Sequence, residues 1–308
     1  MTRRPRSLES ILARLDDVPA EPFIGSHPIL RTADLRAVGL GKGAVRAAVD
    51  ADLLIRVRNG RYLRAGAPAD VTTAARAGAR VACLSLLQSL GVFVLTNDRP
   101  HIHLPSSATR PPSAERVVRH WRPLMRSPHP RATAVDIVDA LAQSVRCQPQ
   151  RAAVATLDSA LHLGLIREDD VDEIFAQLPS RFGHLRDLVD GRAESGPESI
   201  VRLIALELGF SVDVQVRLTG VGRVDLVLDG WLVVECDSEE FHTGWDSQLR
   251  DRRRDLACAG LGLASLRPVA EDILYHQGRV KSALRGLRDA HAAQTPGNRA
   301  RRRARPAV

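Results

Sequence analysis

The chain has 308 residues, 44% hydrophobic and 26% charged, with a formal net charge of +8. That is ordinary globular composition, long enough for two or three compact units. No apolar run approaches the length of a membrane span, and MTRRPRSLES carries positive charge with no apolar stretch behind it. Neither a membrane segment nor a signal peptide is expected, and the expected compartment is the cytoplasm. Cys83, Cys147, Cys236 and Cys258 lie far apart with no C-x-x-C pair, so they read as ordinary buried thiols rather than a zinc site or disulfides. The positive excess sits at the two ends: residues 1–66 hold 12 Lys/Arg against 7 Asp/Glu, and residues 299–305 hold five arginines. A polyanion would be gripped there, although the tail 291–308 reads equally as a disordered solubilising end.

Helical periodicity is expected over residues 8–18, 32–38 and 44–52, with Thr32 placed to cap the second helix. Apolar and basic residues then alternate over residues 53–64 around Asn59-Gly60, the signal of a hairpin with one wet face. Three helices followed by a basic hairpin is the pattern of a winged helix. Its third helix would enter a major groove with Lys42 and Arg46, while Arg56, Arg58 and Arg61 on the wing would meet phosphates. The alternative is a packing module whose arginines are only solvated. Residues 1–66 resemble the N-terminal domain of AbiEi-type antitoxins, the transcriptional regulators of type IV toxin–antitoxin systems. That resemblance implies DNA as a partner, with a homodimer and a toxin or defence-system protein as further expected partners.

Residues 68–70 read as a hinge, and 71–90 as one long Ala- and Leu-rich helix. Residues 92–95, 101–104 and 116–121 read as short strands, with an exposed Pro/Ser loop at 106–113. Helices are expected over 134–146, 150–163 and 167–178, with another at 183–189. Val154, Leu157, Leu161 and Leu165 recur at helical spacing and read as core. The stretch 71–190 looks like the mixed α/β middle domain of AbiEi-like proteins. His101 and His103 alternate on one strand face like a metal pair, but no third ligand has a predictable position, and they read as structural.

Residues 191–196 read as a linker, with Ser195 or Gly196 capping a helix that has Pro197 and Glu198 in its first turn. Strands are expected at 212–218, 223–228 and 231–236, a helix at 246–259, a strand at 263–266 and helices from 270 onward. The run from Trp231 to Cys236 is apolar on both faces, as in a central strand covered on both sides. Yet Asp225, Glu235 and Asp237 sit in or beside these strands. Burying carboxylates among Val and Leu costs several kcal/mol unless something pairs with them. A divalent cation, Mg²⁺ or Mn²⁺, is the economical partner for hard oxygen ligands.

The string D225-x9-E235-x-D237 resembles the metal-binding core of the PD-(D/E)XK nuclease superfamily. The fuller pattern over about 193–290 (SGPESIVRLIALELGF, GRVDLVLDGWLVVECDSEEFH, RDRRRD, LASLRPVAEDIL) is similar to endonuclease-like domains grouped with the very-short-patch-repair nucleases. The α-β-β-β-α-β order is that of the PD-(D/E)XK core. The resemblance implies Asp225 and Glu235 as metal ligands and Glu198 as an outer or bridging carboxylate. A two-residue loop at Asp229-Gly230 would put Asp225 opposite Val234, so a three-residue loop or a bulge is expected, setting Asp225 across from Glu235.

Asp237 stands where the superfamily usually has a Lys. Either it is an extra metal ligand, with the cationic role passed to Arg252 or Arg254, or the site has lost catalysis. His242 matches a His of the similar domains and reads either as a general base or phosphate ligand, or as structural. Asp251 and Asp255 alternate with arginines in RDRRRD and read as a solvated helix face with i, i+4 pairs. The Cys/His constellation of the zinc-bound repair nucleases is absent, so neither their zinc site nor mismatch specificity is carried over. The expected architecture is therefore multidomain α+β and α/β: winged helix, middle domain, PD-(D/E)XK domain. The expected function is Mg²⁺-dependent DNA endonuclease. The alternatives are a non-catalytic DNA-binding regulator of the antitoxin type, whose site would be plugged by Arg or Trp, and an RNase.

Overall fold

The computed structural model describes residues 7–17, 27–105, 116–236 and 245–294. The chain divides into two compact units, Met1–Gln148 with Leu165–Arg186, and Pro149–Gly164 with Asp187–Val308. Both mix helices with small sheets, of which the described residues form three. Among the described residues no helix is long and apolar enough to cross a membrane.

The first unit opens with α1 (Leu8–Asp16), β1 (Leu30–Arg31), α2 (Thr32–Ala37), α3 (Lys42–Asp50), β2 (Leu54–Arg58) and β3 (Arg61–Arg64), the strands ordered β1-β3-β2. Ile11, Leu15, Leu35, Leu40, Val45, Ala48 and Leu54 close one core. On the hairpin, Leu54, Val57 and Leu63 are buried while Arg56, Arg58 and Arg61 face out, the alternation expected of a strand pair with one wet side. Thr32 is the first helical residue of α2 and not its cap. Arg31 takes the N-cap position, and its N–H donates to Asp34 Oδ2 at 2.8 Å.

The unit continues with α4 (Ala69–Ala77), β4 (Arg80–Val81), α5 (Cys83–Ser89), β5 (His101–His103), β6 (Val118–His120) and α6 (Ile137–Cys147). After α7 (Gln150–His162), which belongs to the second unit, come α8 (Glu168–Ala176) and a 3₁₀ turn at Ser180–Leu188. The single helix expected over 71–90 is a correction. Gly78 ends α4 in a left-handed conformation (φ +69°), Arg80 and Val81 pair with His103 and Ile102, and α5 starts afresh at Cys83. Ala-rich propensity is outweighed by ladder hydrogen bonds: Val81 N–H donates to Thr133 O at 2.7 Å and Val135 N–H to Val81 O at 3.0 Å. Nor is 92–95 a strand. Leu95 N–H is taken by the Gln148 side chain at 3.2 Å, not by a neighbouring strand.

The second unit holds α7, α9 (Gly196–Glu207), β7 (Val212–Leu218), β8 (Gly222–Leu228), β9 (Leu232–Val234), α10 (Trp245–Gly260), β10 (Ala264–Leu266), α11 (Ala270–Tyr275) and α12 (Gln277–Gln294). Its sheet runs β10-β9-β8-β7, with β10 parallel to β9 and the other pairs antiparallel. Val224, Leu226, Val227, Leu228, Leu232, Val233 and Val234 are all buried, so β8 and β9 are covered on both faces. Ser195 caps α9, its Oγ accepting from Glu198 N–H at 3.3 Å. The helix α7, read in sequence as part of the stretch 71–190, joins α9 through a buried ion pair: Arg202 Nη2 lies 2.9 Å from Asp158 Oδ2, and Asp158 is fully enclosed.

Candidate functional site

The pairs Leu226↔Val234, Val227↔Val233 and Leu228↔Leu232 leave Asp229, Gly230 and Trp231 as a three-residue loop. Asp229 (φ +49°) and Gly230 (φ +70°) are both left-handed, a conformation open to Gly and to short polar residues. Asp229 Oδ1 accepts from Ser211 N–H at 2.8 Å, which holds the turn against the end of β7. The odd loop length has the consequence expected of it: continued one step, the register sets Asp225 across from Glu235 on one face of the sheet. Asp225 Oδ2 accepts from Cys236 N–H at 2.8 Å.

Glu198 reaches the same place from the first turn of α9. It is 5% exposed and accepts from Glu194 N–H at 3.0 Å and from Gln215 Nε2 at 2.8 Å. Burial, and then the charge of Asp225, hold its carboxyl above the ordinary range, so the two acids lie within electrostatic reach of each other. Gln215 lies between the paired residues Val214 and Val216 of β7, where the register faces it to Asp225. Its φ of +56° is rare for a residue with a side chain, and its buried Oε1 has no hydrogen-bond partner.

A test of this electrostatic pairing follows. Because the folded state holds the Glu198 proton more tightly than the unfolded chain does, Glu198 costs stability as pH rises through its titration. Glu198→Gln keeps an acceptor oxygen and removes the like charge. Its Tm in EDTA at neutral pH is expected to exceed wild type by roughly 2–4 °C, the response to about 1 kcal/mol, with the difference vanishing in acid. Calorimetry across pH checks it.

Glu235, 8% exposed, sits under two guanidinium groups. Arg254 Nη2 donates to its Oε1 at 2.6 Å and to Arg223 O at 2.6 Å; Arg267 Nη2 lies 3.5 Å from the same Oε1, and Arg267 Nε donates to Asp255 Oδ1 at 3.0 Å. The structure thus brings Glu198, Asp225, Glu235 and Arg254 together. Arg252 is exposed, and Arg254 is the arginine that reaches Glu235. Gln215 and Arg267 are additions that sequence reasoning missed. Asp255, read as solvated with a partner along its own helix, is instead bound across to Arg267. Asp237 and His242 lie outside the described residues, as does the 299–305 arginine run.

The five basic residues expected to meet DNA are all exposed: Lys42 and Arg46 on one side of α3, and Arg56, Arg58 and Arg61 on the hairpin. Arg46 is 86% exposed and lies 3.8 Å from Asp50. The Arg58 guanidinium lies over Gly78, where an added Cβ would fall 1.7 Å from its Nη1.

A second group of chemically capable side chains stands in the first unit. Cys83, His101, His120 and Cys147 each offer a ligand atom, all within 4.8 Å of one another, an arrangement able to hold a metal ion. Contact with Cys83, and then with His101, draws the Cys147 thiol down to about 5, while burial and the neighbouring His101 hold His120 down to about 4, as neutral imidazole. Cys83, Cys147 and His101 read in sequence as structural; Cys83 is buried as expected, while Cys147 is exposed, not buried. His103 does conform to that reading: its Nδ1 lies 3.3 Å from Gln143 Nε2, outside the cluster.

No family model matches the chain. Two proteins of Mycobacterium tuberculosis are similar to it: "Uncharacterized protein MT2308" of strain CDC 1551 / Oshkosh and "Uncharacterized protein Rv2248" of strain H37Rv. Each is 32% identical over 143 residues, which is 43% of this chain and 53% of the relative. The chain thus spans about half the length of the curated relatives it matches.

Proposed function

We propose that the second unit is a metal-dependent phosphodiesterase acting on DNA, and that residues 1–66, in a winged-helix arrangement, bind the duplex. The observation that carries the reading is the meeting of three carboxylates in an otherwise apolar sheet: Asp225 and Glu235 across one β pair, and Glu198 from α9 within reach of Asp225's charge. The strand order β10-β9-β8-β7 behind α9, with α10 between β9 and β10, supports a PD-(D/E)XK core. Helix α3 and the basic hairpin, sheeted with β1, support the winged helix.

The residues present fit a hard divalent cation. Their donors are carboxylate oxygens, the charge of Asp225 bears on Glu198, and Gln215 adds a buried amide oxygen with no partner. Asp225 and Glu235 would hold Mg²⁺ or Mn²⁺, with Glu198 outside them. When bound, such an ion lowers the pKa of a water and polarises the phosphate. Glu198, held by Gln215 and the Glu194 N–H, keeps the acidic pocket in shape. Arg254, fixed by Glu235 and Arg223 O, supplies the positive charge that a Lys commonly provides in this superfamily.

One observation favours the alternative, a DNA-binding regulator with a retired nuclease site: Arg254 and Arg267 already neutralise Glu235. Plasmid nicking separates the readings. Wild type should nick DNA with Mg²⁺ or Mn²⁺ and not with EDTA; salt-dependent binding with no nicking under any metal makes the protein a regulator. Under both readings the wing contacts phosphate. The combined Arg56→Ala, Arg58→Ala and Arg61→Ala variant should lower the slope of log affinity against log salt by up to about 3, at roughly 0.9 per lost contact. An unchanged slope in fluorescence anisotropy would remove the hairpin from the interface.

A further inference from the structure

We propose that Cys83, His101, His120 and Cys147 bind one zinc ion tetrahedrally, and that this ion is structural, tying four elements of the first unit together. The residues arrive from four separate elements. Cys83 is the first residue of α5, His101 the first of β5, His120 the last of β6 and Cys147 the last of α6. Each stands at an element end, where a side chain can turn toward a shared centre.

The separation of the two imidazole nitrogens is that of a single ion. With Zn–N bonds of about 2.0–2.1 Å, two nitrogens on one tetrahedron lie about 3.3–3.4 Å apart, and two sulfurs at about 2.3 Å from the ion lie about 3.8 Å apart. His101 Nδ1 and His120 Nε2 are separated by 3.3 Å, and all four ligand atoms lie within 4.8 Å. The imidazole rings stack with centroids 5.5 Å apart and 29° between planes, and Nδ1 of His101 faces Nε2 of His120 between them. Two sulfurs and two nitrogens in a closed tetrahedral set suit zinc, and four protein ligands leave no open position for catalysis. A two-iron cluster would place its Cys pair and its His pair on different irons, farther apart than a single centre requires.

Two further features support a built site. Cys83 adopts φ +48°, a left-handed conformation that is strained for a residue with a side chain and is retained where the surroundings require it. Ser85 Oγ accepts from the His101 N–H at 2.9 Å, fixing the start of β5 beneath the cluster. Cys147 is exposed, which gives the ion a way in. The effect would be to fasten α5 and α6 to a sheet whose strands are only two or three residues long.

The test is metal analysis of the full-length chain, purified under reducing conditions after growth with added zinc. One equivalent of zinc should survive gel filtration. The Cys147→Ser variant should lose it, with affinity falling by more than the roughly 10–100-fold that an outer partner costs. Cys147 is at the surface, so this variant should fold, which far-UV circular dichroism checks. Cys258→Ser, in the second unit, should keep full zinc. Cobalt exchanged into wild type should show intense tetrahedral visible bands with thiolate-to-metal charge transfer, weakened in Cys147→Ser. Absence of zinc and of a cobalt spectrum in folded wild type overturns the proposal. So does a Cys83–Cys147 disulfide found by mass spectrometry in protein supplied with metal throughout. These readouts do not involve DNA, so they stand apart from the outcome of the nicking assay.

Discussion

Asp225→Asn or Glu235→Gln is expected to lower Mg²⁺-dependent nicking by roughly 10³-fold, since losing a ligand removes several kcal/mol of charge stabilisation, about 4 for a thousandfold effect. Both substitutions keep the shape of the side chain. In Asp225→Asn the Cys236 N–H retains an acceptor, so the sheet should survive and the Tm in EDTA should not fall, since the like charge on Glu198 is relieved. Single-turnover kinetics across a Mg²⁺ titration separates a lost ligand, which excess metal partly rescues, from a lost fold, which it does not. Arg254→Ala then distinguishes the roles of the guanidinium on Glu235. If it supplies transition-state charge, nicking falls while Mg²⁺ still binds. If it blocks the site, Mg²⁺ binds more tightly and nicking does not fall. Equal nicking by wild type and Glu235→Gln would remove the β8–β9 face from the mechanism.

Arg202→Leu is expected to destabilise the second unit by about 3–5 kcal/mol, the cost of leaving one member of a buried ion pair alone. Arg202 is 4% exposed and Asp158 fully buried. Arg202 also donates to Leu188 O at 2.6 Å, and Asp158 accepts from Asp190 N–H at 2.7 Å, so one change disturbs α7, α9 and the segment before Asp190 together. The pH dependence has a definite sign. Burial raises the Asp158 carboxyl to about 6, with Arg202 opposing the rise. A raised acid binds its proton more tightly in the folded state, so the wild-type contribution falls as pH climbs from about 4 to about 6 and is level above that. Without Arg202 the carboxyl rises further and the loss extends toward neutral pH. Urea unfolding from pH 4 to 8 reads both the size and the window. The double replacement Asp158→Leu with Arg202→Leu should recover part of the loss, though the Asp190 N–H would still lack an acceptor.

The hairpin that carries Asp225 and Glu235 was legible because its constraints are local. A strand period of two, an Asp-Gly turn and the need for two carboxylates on one face together demand an odd loop, and the loop is odd. The order of elements from α9 to β10 was legible for the same reason. What stayed hidden depends on contacts between distant residues. Cys83, His101, His120 and Cys147 are each at least 18 residues from the next, so no spacing rule connects them, and two of the four elements that carry them were misread or blurred. The break between α4 and α5 is invisible to propensity, since VTTAARAGARVACLSLLQ-type composition favours helix until β5 is there to pair with. Arg267 and Gln215 look like any polar residues at strand ends and bends; only the tertiary register sets them beside acids.

The passage of the chain between units has a consequence for how the protein is made and cut. Residues 149–164 belong with 187–308, but 165–186 return to the first unit, so three covalent crossings link the two. No single cleavage yields two complete halves. A fragment beginning at Ala193 would lack α7, leaving the Arg202 guanidinium without Asp158 and an apolar face of α9 bare. On the ribosome, the N-terminal unit cannot close until residue 186 has emerged, by which time a helix of the later unit is already waiting for its partner. Expression trials of the second unit are therefore expected to yield folded material from fragments that begin near Pro149, and aggregated material from those that begin at the apparent linker.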